Sequence, residues 1–355
     1  MLLVTVLLFA LCLSGARKRE DCDKNLCLAL SKEQANVIKG FFILVVFLSH
    51  FNGYVGYTEK IDRINERIYS LIGQRMVTMF MLYSGYGVME SIKRKGITYI
   101  KAMPINRILS VVFRFDLAVL LYACINFLVN RAKFTFSKKT LLLALLGWES
   151  IGNSNWYIFS ILICYTATYL AFSLSKSRNE WKDGFILTTV LILCFILFMR
   201  GFKLKESSIW YDTVLCYSCG MCLSIYQNMF YKYFNDWPAY ACGIICILFF
   251  QALSYKFGYC FLLRELALIS FSILVVMLTM KIGVSNPFLK FCGEHLFGIY
   301  IMQRIPMIIF EKLNLHVYLY FVLCFLLTMV LAVVFDRFTK RIWTVFGRKV
   351  RERNG

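Results

Sequence analysis

The sequence predicts an all-α fold, a polytopic membrane helical bundle with ten core transmembrane helices and a short N-terminal anchor. Three observations carry this. Of 355 residues, 59% are hydrophobic and 17% charged, and the mean hydropathy is +0.65. A soluble domain averages roughly 25% charged and 45–50% apolar residues, so lipid is the solvent this composition suits. The apolar residues also gather into runs near the about 20 residues that cross a bilayer, and the charges collect in the gaps between runs.

Ten segments approach spanning length: 37–57, 70–92, 107–129, 155–174, 184–200, 209–227, 237–254, 260–280, 286–310 and 317–338. The run 140–148 is too short to span and reads as an interfacial or re-entrant piece. Residues 1–16 are apolar and precede Arg17-Lys18-Arg19, without the basic start of a signal peptide. They read as a short anchor with its N-terminus outside, or as an interfacial helix. The organisation is therefore an anchor and polar linker over 1–30, one membrane domain over 31–338, and a basic tail over 339–355.

Charge sets the orientation. Lys plus Arg number 40 against 20 Asp plus Glu. If span 37–57 starts in the cytoplasm, the cytoplasmic segments hold 24 Lys and Arg and the outer loops 13. The positive-inside rule then places both ends of the ten-helix core, and the C-terminus, in the cytoplasm, and the chain is expected to be a multi-pass protein of the inner or plasma membrane. The same dispersal argues against nucleic acid as a partner. Of the 14 cysteines, Cys22 and Cys27 are the only pair in a polar stretch, and a cytoplasmic location would keep them reduced. Cys216, Cys219 and Cys222 read as small residues in a spanning helix rather than metal ligands.

His50 is the first candidate for chemistry. It follows nine apolar or small residues inside a span, and an ionisable group there is a functional candidate, with a helix–helix hydrogen bond as the plain alternative. Lys39 lies eleven residues earlier. Eleven residues at about 100° each return to within about 20° of the start and rise about 16 Å. The two share a helix face, with Lys39 at the cytoplasmic edge and His50 about halfway across. By itself Lys39 reads as a snorkelling lysine.

In the second span, Ser84-Gly85-Tyr86-Gly87 permits close helix approach, and Tyr83, Tyr86 and Glu90 form a polar stripe. Lys93, Arg94 and Lys95, then Arg107, follow. They serve topology, or hold phosphates of a nucleotide-like donor. Asn155, Trp156 and Tyr157 open the fourth span at an interface belt. The ninth, with Glu294, His295, Tyr300, Gln303 and Arg304, is too polar to face lipid all round. The H-E-x-x-H, phosphate-loop and G-x-S-x-G motifs do not occur.

These residues together resemble acyltransferase family 3. Ser31 to Gly40 and the run to His50 look like its first helix. The Phe80-x-x-x-Ser84-Gly85-Tyr86 stretch, Arg107, Asn155-Trp156-Tyr157, Gly220-Met221 and Gly298-Ile299-Tyr300 follow in the family's order across 31–338. Lys39 stands where the family has Arg, which keeps the charge but loses the bidentate fork. Asn36 stands for a frequent Asp, and Gln303 for a second His. The resemblance implies acyl transfer from acyl-CoA, most often acetyl-CoA, to a hydroxyl of a sugar or cell-surface glycan, with no tightly bound cofactor and no metal. It implies His50 as general base, or as carrier of a transient acyl group, assisted by Lys39. Arg107, Lys93 and Arg94 would bind the donor. Ser84, Tyr86, Glu90, Asn155, Trp156, Tyr300 and Gln303 would line the cavity. The competing reading is a transporter or flippase of a lipid-linked sugar, and a third is a sensor without catalysis. Oligomeric state is left open.

Overall fold

The computed structural model describes residues 1–19, 28–56, 60–129, 137–175, 180–205, 207–257 and 260–353. Cys22 and Cys27 lie outside the described residues. The chain is an all-α membrane-type bundle. Seven helices among the described residues are long and apolar enough to cross a bilayer: Lys32–Asn52, Ile97–Leu128, Trp156–Leu174, Trp181–Gly201, Trp237–Lys256, Phe261–Lys281 and Val317–Val345.

Helix α1 (Leu2–Ser14) is about 20 Å long, short of the about 30 Å of a hydrocarbon core. It is tied at both ends. Thr5 Oγ1 donates to Asn65 Oδ1 at 2.6 Å on one face. On the other, strand β1 (Ala16–Lys18) pairs antiparallel with β2 (Ile282–Val284), Ala16 opposite Val284.

Helix α2 (Lys32–Asn52) is the central helix. Ser31 caps it, its side chain accepting from Gln34 N at 3.2 Å, and Gly53 ends it, donating to the His50 carbonyl at 3.0 Å. The face where α2 begins is called the basic face here, because Lys93, Arg94, Lys95 and Lys340 also end there. The opposite face is the far face.

Helix α3 (Lys60–Ile72) lies on the far face, and Gly73, with φ +45°, turns the chain into α4 (Arg75–Lys95). After α5 (Ile97–Met103), Pro104 has no N–H for the Ile100 carbonyl, and Pro104–Leu109 widens to a π-turn before α6 (Ser110–Leu128). The short α7 (Lys138–Leu145) occupies the run too brief to span. There follow α8 (Trp156–Leu174), α9 (Glu180–Gly201), α10 (Leu215–Ile225), α11 (Gln227–Phe234), α12 (Trp237–Lys256) and α13 (Phe261–Lys281).

Three of the ten expected spans take less regular forms. Segment 70–92 becomes α4, which carries Lys93, Arg94 and Lys95 in its last turn. Segment 209–227 enters through a 3₁₀ turn at Ser208–Trp210 and is helical only from Leu215. Segment 286–310 divides into α14 (Pro287–Glu294), α15 (Leu296–Met302) and α16 (Arg304–Phe310). Pro306 explains the second break, since it removes the N–H that would bond Met302 O. Two carbonyls beside it gain side-chain donors: Tyr122 OH to Ile301 O at 2.8 Å and Gln303 Nε2 to Tyr300 O at 2.9 Å. The final helix α17 (Val317–Arg353) runs back to the basic face.

Bare backbones meet at two crossings. A Cβ on Gly40 would fall 1.7 Å from Leu289 O, and one on Gly293 1.8 Å from Asn36 O, so α2 and α14 touch main chain to main chain. Gly85 and Gly220 do the same for α4 and α10, at 1.9 Å from Tyr217 O and 2.0 Å from Leu82 O. Small residues permit this approach where water supplies no hydrophobic drive between helices.

A polar clamp closes the basic end. Asp336 of α17 accepts from Arg114 and pairs with His295 Nδ1 at 2.9 Å, while the Arg114 guanidinium lies 4.1 Å from the Phe297 ring. Asp336→Ala leaves Arg114 and His295 without their acceptor. We expect it to cost about 2 kcal/mol, below the value for a fully buried pair because Arg114 keeps some solvent contact. A thermal midpoint several degrees below wild type in detergent checks this; an unchanged midpoint contradicts it.

Candidate active site

The site is built along the inner face of α2. Because Lys39 and His50 belong to one unbroken helix, their separation is set by helical rise alone, about 16 Å. His50 sits in the last turn of α2, two residues before its end.

At the basic end, Lys39 lies close enough to Arg107 and Lys32 to be repelled by both. Arg107 projects from the π-turn, and its Nε donates to Tyr99 OH at 3.0 Å. Tyr165 and Tyr217 stand nearby. Neither Lys39 nor Arg107 has a carboxylate partner among the described residues. Cations gathered without counter-charge suit an anionic ligand, above all one carrying phosphates.

From there, aromatic and hydroxyl side chains lead inward. Ser84 of α4 stands beside both Tyr165 and Tyr157 of α8. The Tyr157 ring lies 5.5 Å from the Tyr300 ring, which lies 6.4 Å from the His50 imidazole. Gln303 and Arg304 approach His50 from the α15–α16 break, and Ser154 stands beside the Tyr300 hydroxyl.

Around His50 the hydrogen-bonding atoms are enclosed but unused. His50 Nδ1, Ser154 Oγ, Tyr300 OH, Gln303 Oε1 and Arg304 Nε make no close hydrogen bond, although Gln303 stands within reach of the imidazole and Ser154 within reach of the Tyr300 hydroxyl. Tyr300 is 2% exposed and Gln303 0%. Buried polar groups are paired in all but a few cases, and an enclosed cluster of unpaired ones marks a place where a ligand's own polar atoms fit. This cluster holds a base, two hydroxyls, an amide and a guanidinium.

The other expected site residues lie elsewhere or are already engaged. Lys93 Nζ pairs with Glu90 Oε1 at 2.5 Å and donates to Ser224 O at 2.8 Å, while Ser224 Oγ donates to Glu90 at 2.7 Å. Arg94 is exposed on the basic face. Tyr86 OH donates to Gln227 Oε1 at 3.0 Å. Asn155 Nδ2 donates to Gly147 O at 2.9 Å, which shapes the loop before α8, and Trp156 packs its ring 6.2 Å from Tyr157.

Sequence reading assigned no role to Arg304, Ser154, Tyr157, Tyr165 and Tyr99. Arg304 had a usable signal, a charge inside a spanning segment, the same signal that singled out His50. Tyr157 was marked only by its place in the Asn155-Trp156-Tyr157 stretch, and Tyr99 and Tyr165 had no signal, because an aromatic in such a helix reads equally as interface or core.

Comparison with known families adds one match. The family described as "Acyltransferase domain" matches residues 33–337. That stretch runs from the first turn of α2 to the Asp336 clamp and contains the whole site. No curated protein and no solved structure matches the chain significantly.

Proposed function

This chain belongs to acyltransferase family 3, and on that premise we propose that it moves an acyl group, acetyl in the simplest case, from acyl-CoA to a hydroxyl of a sugar or cell-surface glycan. One observation supports this above the others. A single helix face carries Lys39, among cations without counter-charge, and His50, among enclosed polar side chains that keep unused hydrogen-bonding atoms.

The donor's phosphates are held by Lys39 and Arg107 at the basic face, taken to be cytoplasmic, and its pantetheine arm follows Ser84, Tyr165 and Tyr157 inward. His50 accepts the proton of the acceptor hydroxyl as that oxygen attacks the thioester carbonyl. The C–S bond then breaks, and the departing thiolate takes the proton from the imidazolium. Tyr300 O–H and Arg304 Nε–H are the donors suited to the charge that grows on the carbonyl oxygen.

Lys39→Ala is expected to raise KM for acyl-CoA about tenfold, the loss of one charge-assisted contact, with a smaller change in kcat. Lys39→Arg is expected to restore most of it. Initial rates against donor concentration check this, and an unchanged KM in the alanine variant contradicts the placement of the donor.

Membranes containing the protein, given acetyl-CoA labelled in the acetyl group, test the activity itself. Label appearing as an ester on glycan supports acyl transfer. Sugar crossing sealed vesicles without any acyl donor, and without label transfer, supports a transporter instead.

A further inference from the structure

The far face is more basic than a membrane protein's charge distribution requires. Two cavities open there on either side of the start of α13. The first, about 720 Å³, is lined by Arg67, Arg75 and Arg264 with Ser70, Ser254 and Tyr255. The second, about 630 Å³, is lined by Arg200, Lys203 and Lys205. Among the described residues, no carboxylate lines either.

The arginines of the first cavity are held in place. Arg75 Nε donates to Gln251 Oε1 at 3.0 Å, and its terminal nitrogen reaches Ser254 Oγ at 3.4 Å. Arg264 donates to the buried Asp212 at 3.0 Å. Phe261 bridges the two cavities, with the Arg200 guanidinium 3.7 Å from its ring and Arg264 one turn further along α13. In the second cavity Lys205 lies 4.3 Å from the Trp148 ring and pairs with Glu149 at 3.5 Å, so its charge is partly compensated. Arg67, Arg200 and Lys203 make no ion pair among the described residues.

Topology gives no reason for these charges. Lys and Arg are favoured on the face that keeps the termini of the core, and this is the opposite one. The apolar lining of the larger cavity is Ala267 and Leu268, both buried in its floor, so it offers no open groove for lipid acyl chains.

We propose that these two cavities form a binding tract for an anionic glycan, a polymer bearing carboxylates or phosphodiesters, with successive anionic groups seated on either side of Phe261. This rests on the reading of the acceptor as a glycan and names its class: an acidic polymer presented at the far face, held while one of its hydroxyls reaches the His50 site.

Binding, rather than turnover, tests it. The full chain in phosphatidylcholine nanodiscs is titrated with oligogalacturonate, with poly(glycerol phosphate) and with neutral dextran. The expected result is binding of at least one acidic polymer, weakening steeply with salt, and none of dextran. Arg67→Ala combined with Lys203→Ala, both exposed side chains, is expected to weaken that binding roughly tenfold while leaving the thermal midpoint unchanged. Absence of acidic-polymer binding, or equal binding by the double variant, overturns the proposal. Polymer binding seen in phosphatidylcholine that is abolished once the nanodiscs contain anionic phospholipid overturns it in favour of a lipid headgroup site. The readout needs no acyl donor, so failure of the acyl-transfer reading and failure of this tract are seen separately.

Discussion

His50→Ala is expected to lower kcat for acyl transfer by about 10²- to 10⁴-fold, the usual contribution of a positioned general base, and to leave the protein folded. Both halves follow from the same geometry. His50 Nδ1 makes no close hydrogen bond, and the ring's polar neighbours are Gln303, Arg304 and Tyr300, whose ring lies 6.4 Å away. Removing it breaks no ion pair and costs at most one interaction with the Gln303 amide, which keeps its bond to Tyr300 O. A residue retained for structure would behave in the opposite way. Rates at matched protein amounts, read with thermal midpoints, separate the two. A variant that keeps its activity, or one that loses activity only because it unfolds, contradicts the role given to His50.

Gly40→Ala is expected to cost about 3 kcal/mol or more, at or above the upper end for overpacking a core. The added methyl would meet Leu289 O at 1.7 Å, Leu289 C at 2.6 Å and Gly293 N at 3.0 Å. All three are backbone atoms, so no side chain can turn away, and α2 and α14 must separate. That separation reaches the site, because α14 leads into the segment that brings Tyr300, Gln303 and Arg304 to His50. Gly87→Ala is the control. Nothing lies within 4 Å of its added carbon, and the helix gains about 1 kcal/mol from alanine over glycine. Folded yield and thermal midpoint in detergent check the pair. Equal behaviour of the two variants contradicts a backbone contact at Gly40.

What could be read from the sequence depended on how local each feature was. The Lys39–His50 face is a property of one helix, so spacing alone revealed it. Run length and hydropathy likewise revealed the membrane bundle and the long helices. They failed where apolar content stays constant while the backbone does not. The pieces α14, α15 and α16 read as one span, although Pro306 was a visible sign that the helix could not continue unbroken. The end of that helix was misjudged for a related reason: α2 ends two residues after His50, where Gly53 stops it, and the run's extension to residue 57 hid that end.

Partners across the bundle were not legible. Nothing near His50 in sequence announces Arg304 or Ser154, which are brought there by tertiary packing. Lys93 and Glu90 show the opposite case. Their i, i+3 spacing already allows a local ion pair, and the structure makes that pair and adds Ser224 to it. The Arg114–Asp336–His295 clamp joins residues more than two hundred positions apart and had no signal beyond the presence of charge in apolar segments.

The account's central claim is that the acyl group leaves acyl-CoA and arrives on an acceptor hydroxyl within this one chain. Purified protein in lipid nanodiscs, given acetyl-labelled acetyl-CoA and an acidic oligosaccharide, tests it most directly. The predicted result is an alkali-labile acetyl ester on the sugar, formed mole for mole with free CoA thiol. Acetyl-CoA that stays intact under those conditions, with the oligosaccharide bound and the protein folded, would contradict it.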